Sequence, residues 1–210
     1  MYIIGLTGGI ACGKSTVARL LKKRGARGID ADALTHTLLQ PRQALYRLYV
    51  AHFGAEILTA GGTIDRRALG ARLFARPEER AWVDTHAHPV IRAAAEKRLA
   101  ALKREGARLV VLDVPLLFEA GWDTLADEIW VASLPEELEV ARLMERSSLT
   151  EAEARVRIAA QMPLAEKARR ADFVLDNSGT LEELAAQVDR GLARLSDKKM
   201  PLREVPSRRA

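Results

Sequence analysis

The sequence predicts an α/β fold, an open parallel sheet with helices on both faces, and two observations support it. Apolar segments of strand length alternate with segments of helical periodicity along the 210-residue chain. Residues 109–115 are almost continuously hydrophobic, as expected for a central parallel strand buried on both faces. Residues 127–133, with an apolar core at 129–132, offer another strand of the same kind. Repeated strand–helix alternation is typical of a parallel sheet covered on both sides.

The amino-terminal segment predicts a strand, a loop and a helix. Residues 2–6 read YIIGL, a β-branched apolar run followed by glycines. Val17, Leu20 and Leu21 then recur at helical spacing and stop before Gly25, a common helix terminator.

The rest of the chain continues this alternation. A short strand is predicted at residues 28–32, and a further strand at residues 173–177. Two later helices begin at capping-box patterns, one formed by Thr150 and Glu153 and the other by Thr180 and Glu183.

The domain organisation follows from composition. We expect a single domain over residues 1–196, with an inserted helical lobe at about 33–105 and a helical lid at about 142–162. The first helical stretch of that lobe is predicted to run from about Ala33 to Phe53. Residues 197–210 hold five basic and two acidic side chains with little apolar content, which predicts a disordered tail.

Composition also restricts the partners and the compartment. The pI is near 9.6, but the tail contributes +3 of the +5 net charge, so we expect no nucleic-acid partner. No segment approaches the roughly 18 apolar residues of a membrane span, and a single cysteine excludes an intrachain disulfide. We therefore expect a cytoplasmic protein that is a monomer or a weak homo-oligomer.

The segment GGIACGKS, from Gly8 to Ser15, fits the phosphate-binding loop pattern G-x-x-x-x-G-K-[ST]. It follows a predicted strand and opens a helix, where glycines let backbone amides converge on phosphate and the helix dipole favours anions. Lys14 is predicted to contact the β- and γ-phosphates, and Ser15 to help hold Mg²⁺. The fold is therefore expected to resemble that of the P-loop nucleoside-triphosphate hydrolases. The predicted phosphate loop comprises Gly8, Ala11, Cys12, Gly13, Lys14, Ser15 and Thr16.

Two carboxylates, Asp30 and Asp32, follow the second predicted strand. In a parallel sheet they should emerge at the carboxyl edge, where an acceptor would bind. Asp32 is the predicted base, with Asp30 an open alternative. A structural interpretation also remains open, in which Asp32 only caps a helix beginning near Ala33.

Five more charged positions have catalytic interpretations. Arg142 and Arg146 lie four residues apart on one helix face, and Arg155 and Arg157 follow on the next helix. Such a hairpin can fold cationic groups over phosphates, although an ordinary solvated helix face fits the same pattern. Asp113 ends an apolar strand and is a possible magnesium ligand or only a strand-end residue.

The chain resembles the dephospho-coenzyme A kinase family over nearly its whole length. The resemblance rests on GLTGGIACGKSTVA, IDADALTH, HPVIR, VLDVPLLFEAGW and RIAAQMPLAEKARRADFVLDNSG in the same order. It implies transfer of the ATP γ-phosphoryl group to the ribose 3′-hydroxyl of dephospho-coenzyme A. It also implies a catalytic Asp32, a lid arginine at Arg146, and an ATP adenine site bordered by Arg142 and Asn177.

The chain departs from the family pattern at two places. Ala11 and Cys12 stand where many relatives have Gly-Ser, and Ser147 follows the lid arginine where an acidic or amide residue is common. Two other functions remain open: another P-loop metabolite kinase, or a nucleotide-dependent regulator. The chain lacks the N-K-x-D and L-S-G-G-Q elements expected of GTPases and transporter ATPases.

Overall fold

A computed structural model describes residues 1–197. The predicted disordered tail lies outside the described residues, apart from Asp197. The chain forms two compact units. One contains residues 1–29 and the chain from Leu102 onward, and the other contains Asp30–Ala101.

The first unit is built on a five-stranded sheet of order β2-β3-β1-β4-β5. The central strand β1 pairs in parallel with β3 and β4, and β4 pairs in parallel with β5. The strands are β1 (Tyr2–Gly8), β2 (Arg27–Asp30), β3 (Leu109–Asp113), β4 (Glu128–Ser133) and β5 (Phe173–Asp176). All five strands predicted from the sequence are therefore present.

Helices pack against this sheet on the side of Ile4 and Leu6, two buried residues of β1. Val17 and Leu21 of one helix and Val188 of another complete the apolar core there. The first unit contains α1 (Lys14–Lys23), α6 (Glu136–Ser147), α7 (Glu151–Ala159), α8 (Leu164–Arg170) and α9 (Leu181–Asp197). A 3₁₀ turn at Asp123–Leu125 precedes β4.

Gly5 of β1 faces the other side of the sheet. A Cβ at Gly5 would lie only 2.9 Å from side-chain atoms of Leu117 and Ala126. The segment that follows β3 therefore packs directly on the backbone of the central strand, and only glycine fits there.

Both predicted capping boxes are present. The Thr150 hydroxyl accepts from the Glu153 amide, and the Glu153 carboxylate accepts from the Thr150 amide. Thr180 and Glu183 exchange the same two hydrogen bonds before α9. These bonds satisfy backbone amides that have no acceptor within the helix.

The second unit is helical. An aromatic cluster of Tyr49, Phe53 and Trp82 packs inside it. Its helices are α2 (Ala31–Leu38), α3 (Ala44–Phe53), α4 (Arg66–Ala75) and most of α5 (Pro77–Arg104), with a 3₁₀ turn at Ala55–Ile57. No helix among residues 1–197 is long and apolar enough to cross a membrane.

Candidate active site

The phosphate loop connects β1 to α1, and two of its glycines are required by close backbone packing. A Cβ on Gly8 would lie 2.5 Å from the carbonyl oxygen of Ala132 in the neighbouring strand. Gly13 has a φ of 83°, in the left-handed region, and a Cβ there would collide with the Asn177 amide group. The loop is therefore shaped by β4 and by the segment after β5 as well as by its own sequence.

Gly9 is a third glycine that close packing requires, and its contacts were not predicted from the sequence. A Cβ on Gly9 would collide with the carboxylate of Glu139 and with the Cys12 thiol. Glu139 lies in the first turn of α6 and is only 2% exposed. Burial raises the pKa of Glu139, while hydrogen bonds from the Cys12 thiol and the Ile10 amide lower it.

Cys12 is buried and contacts three neighbours. Its amide donates to the Gly9 carbonyl at 3.3 Å, and its carbonyl accepts from Asn177 Nδ2 at 3.0 Å. Burial, together with the nearby Glu139 carboxylate, raises the pKa of the thiol to about 12. The thiol is thus uncharged near neutral pH, and a phosphate-binding role for Cys12 stays a prediction.

Lys14 opens α1, and its ammonium group forms an ion pair with Asp113 at the end of β3. Both side chains are largely buried, at 18% and 10% exposed. The pair holds the lysine amine at the carboxyl edge of the sheet, where the loop also ends. Ser15, the next residue, is exposed. The backbone amides of Lys14 and Ser15 lie in the first turn of α1, where a helix offers them no carbonyl acceptor. The Thr16 amide instead donates to Gly13 at 2.9 Å.

Arg142 and Asn177, both predicted near the adenine, contact each other. Arg142 Nη2 donates to the Asn177 carbonyl at 3.0 Å, and Asn177 Nδ2 donates to the Cys12 carbonyl. A chain of hydrogen bonds therefore connects α6, the segment after β5 and the phosphate loop. Contact with adenine stays a prediction.

The hairpin of α6 and α7 has two arginines in opposite situations. Arg155 Nε and its two terminal nitrogens are occupied by Glu151, Glu136 and Glu137 at 2.9–3.1 Å. Arg146 is exposed and has no ion-pair partner among residues 1–197. Within this hairpin, Arg146 is thus a cation available to an incoming phosphate.

Lys167 of α8 is a fully buried lysine. Its Nζ donates to the Pro115 carbonyl and pairs with Glu119, each at 3.0 Å. Pro115 also accepts from the Thr7 hydroxyl at 2.9 Å, and Glu119 accepts from the Met162 amide at 3.0 Å. This cluster ties α8 to the end of β1, immediately before the phosphate loop.

Asp30 and Asp32 belong to the second unit. Asp30, and not Asp32, caps the helix that follows. The helix begins at Ala31 rather than near Ala33, and Asp30 caps it by accepting from the Ala33 amide at 3.0 Å. The capping interpretation of Asp32 is therefore wrong, because the cap lies two residues earlier. Asp32 sits in the first turn with an exposed side chain and no capping bond.

The structure brings together the predicted loop residues, Asp113, Arg142 and Asn177 within the first unit. The buried charges Glu139 and Lys167, and the partly exposed ion-pair partner Glu119, were not predicted from the sequence. One signal was present for Glu139, because it shares the i, i+1, i+4 spacing of the buried residues Val140 and Leu143. Within residues 1–197, no group of three or more His, Cys, Asp or Glu side chains could hold a metal.

Comparisons with known proteins agree on one family. Residues 2–183 match the family model described as dephospho-CoA kinase. The dephospho-CoA kinase of Symbiobacterium thermophilum is 48% identical over 189 residues, covering 90% of this chain and 79% of the relative. That of Geobacter sulfurreducens is also 48% identical over 189 residues, covering 90% of this chain and 96% of the relative.

Solved structures extend the comparison. The dephospho-CoA kinase from Campylobacter jejuni is 28% identical with a TM-score of 0.71, covering 94% of this chain and 98% of that one. A solved Thermus thermophilus protein is 39% identical with a TM-score of 0.78, covering 92% and 97%. A shikimate kinase from Bacteroides thetaiotaomicron shares the fold alone. It is 13% identical with a TM-score of 0.53, covering 93% of this chain and 98% of that one. The chain is thus an α/β kinase, and it belongs to the dephospho-CoA kinase family.

Proposed function

We propose that this chain transfers the γ-phosphoryl group of ATP to the ribose 3′-hydroxyl of dephospho-coenzyme A, giving coenzyme A and ADP. The observation that carries the proposal is the family match over residues 2–183. It includes the phosphate loop, the carboxylates after β2 and the α6–α7 hairpin. Because the reaction releases coenzyme A itself, it is the final step of coenzyme A synthesis.

Lys14 is the proposed contact for the transferring phosphoryl group. Its ion pair with Asp113 holds the amine beside the loop, so little reorganisation is needed when phosphate binds. The exposed start of α1 supplies backbone amides and a favourable dipole for the phosphate oxygens. Arg146, free of carboxylates among the described residues, is the proposed lid cation for charge that spreads over the γ-phosphoryl oxygens.

Magnesium is the proposed metal, and the oxygen donors of the site fit it. Ser15 and Asp113 would hold it, directly or through water, with the remaining positions taken by ATP phosphates and water. This donor set suits Mg²⁺, which commonly uses one or two protein ligands together with substrate phosphates. When bound, the ion would neutralise charge between the β- and γ-phosphates.

Asp32 is the proposed base for the acceptor hydroxyl. Its side chain is exposed and does not cap α2, since Asp30 does. A carboxylate free of a structural bond can accept the proton of the attacking hydroxyl. The proposal requires the acceptor to bind with its 3′-hydroxyl at this carboxylate.

The first experiment identifies the acceptor. The purified protein is incubated with Mg²⁺ and ATP in parallel with dephospho-coenzyme A, AMP, CMP or pantothenate, and ADP and product mass are recorded. We expect a product 80 Da heavier, the mass of one phosphoryl group (PO₃H), only with dephospho-coenzyme A. Product with another acceptor would retain the kinase and reject this substrate, and no acceptor-stimulated ADP would reject the transfer.

A second experiment separates the two carboxylates. We expect Asp32→Asn to lower kcat by about 10²- to 10⁴-fold, the usual contribution of a general base, with ATP binding retained. Asp30→Asn is the matched control, because Asn caps helices as well as Asp does. Near-normal turnover by Asp32→Asn, or equal losses in both variants, would reject the assignment.

A further inference from the structure

The phosphate loop rests on α6 through an apolar contact and a polar one. Ile10 and Ala11 of the loop pack against a small buried cluster formed by Val140, Leu143 and Ala154 of the hairpin. The apolar contact alone would let the loop slide, because dispersion and hydrophobic contacts are not directional. A directional contact is needed to fix the loop backbone.

Glu139 supplies that directional contact. It is 2% exposed, and its carboxylate lies against Gly9, the Ile10 amide and the Cys12 thiol. Its carboxylate fills the space that a side chain on Gly9 would need. One side chain of α6 therefore contacts three loop residues, Gly9, Ile10 and Cys12.

The same helix also reaches the loop from the other side. Arg142, three residues after Glu139, donates to Asn177, which in turn donates to the Cys12 carbonyl. Cys12 is thus fixed at its thiol by Glu139 and at its carbonyl by Asn177. One turn of α6 therefore reaches Cys12 by two routes, directly through Glu139 and through Asn177 from Arg142.

We infer that Glu139 is a positioning residue for nucleotide binding, which holds the phosphate loop in its binding geometry by accepting hydrogen bonds from Ile10 and Cys12. The inference rests on the proposed use of ATP. Glu139 holds the loop by accepting hydrogen bonds and not through its negative charge, since a buried charge beneath the loop would repel phosphate. Lys167, whose charge acts on Glu139, offsets part of that repulsion.

The inference predicts different outcomes for two substitutions of one residue. Glu139→Gln removes the charge and keeps one amide oxygen that can accept a hydrogen bond, so we expect the Kd for Mg·ATP to stay within about threefold of the wild type. Glu139→Ala removes the acceptor oxygens from both donors, and we expect a Kd about tenfold higher. Gly9→Ala should displace the carboxylate and raise the Kd similarly.

The experiment measures Mg·ATP binding by calorimetry on the full chain without acceptor, beside the unfolding temperature and the KM for dephospho-coenzyme A. Glu145→Ala is the control, because Glu145 lies exposed on the same helix. A Glu139→Ala variant with lowered unfolding temperature but unchanged Kd would overturn the inference. Equal losses in Glu139→Gln and Glu139→Ala would overturn it too, since charge would then matter. Because binding is measured without acceptor, a wrong acceptor assignment would not affect these outcomes.

Discussion

Replacing Lys167 by Met tests whether the buried cluster before the phosphate loop stabilises the fold. Lys167 is fully buried, whereas its partner Glu119 is 25% exposed. Removing one member of a buried ion pair costs about 3–5 kcal/mol, mostly because the other charge is left unpaired. Glu119 retains solvent contact and the Met162 amide, so we expect the low end of that range.

The expected loss in the free energy of unfolding is therefore about 3 kcal/mol. For a domain of 150–250 residues this corresponds to a fall in Tm of roughly 6–12 °C. Urea unfolding followed by circular dichroism gives the free energy, and calorimetry gives Tm. Arg169→Met is the control, because Arg169 lies on the same helix with a side chain 74% exposed. We expect that control to change the free energy by less than about 0.5 kcal/mol.

A double-mutant cycle completes the test. Glu119→Gln keeps an oxygen that can accept from the Met162 amide, so it removes mainly the charge. Because the two residues are in contact, the loss in the double variant should fall short of the summed single losses by at least about 1 kcal/mol. Additive losses, or a cost below about 1 kcal/mol for Lys167→Met, would refute the reasoning.

Three further predictions concern the hairpin, a helix cap and an ion pair. Arg146→Ala should lower kcat by at least about 100-fold. Arg155 pairs with exposed carboxylates, so Arg155→Ala should change kcat less than about twofold. Equal effects of the two substitutions would contradict the lid assignment. Thr180→Ala removes the cap of α9 and should cost about 1 kcal/mol in urea unfolding; no change would argue against the cap. Hydrogen bonding to Arg72 lowers the pKa of Glu79 to about 2. The stabilising effect of the Glu79 carboxylate should therefore be complete above the unfolded pKa near 4.3 and be lost as pH falls through about 2. A carboxyl NMR titration midpoint near 4 for Glu79 would refute this.

Local sequence patterns predicted the sheet and the loop because each is encoded over a few adjacent residues. The apolar run at 109–113, the glycine pattern of the loop and both capping boxes need no information from distant parts of the chain. The same holds for Lys14, whose place follows from the loop pattern alone. Its pairing with Asp113, across 99 positions, was not predicted from the sequence.

Buried charges were missed because charged residues are normally exposed, and only tertiary contacts reverse that rule. Lys167 is buried by Pro115 and Glu119, some fifty positions away. The start of α2 was misplaced for a more local reason. Asp30 and Asp32 are both good caps, and spacing alone does not choose between them.

The burial of Cys12 makes the phosphate loop measurable on its own. It is the chain's single cysteine, with no exposed surface and a thiol pKa of about 12. An alkylating reagent therefore reacts only in molecules whose loop has transiently opened, and the labelling rate reports the opening equilibrium of that loop. Unfolding of a distant helix that leaves the loop closed would go unrecorded. The rate of Cys12 alkylation in the native chain thus measures loop opening without an introduced cysteine.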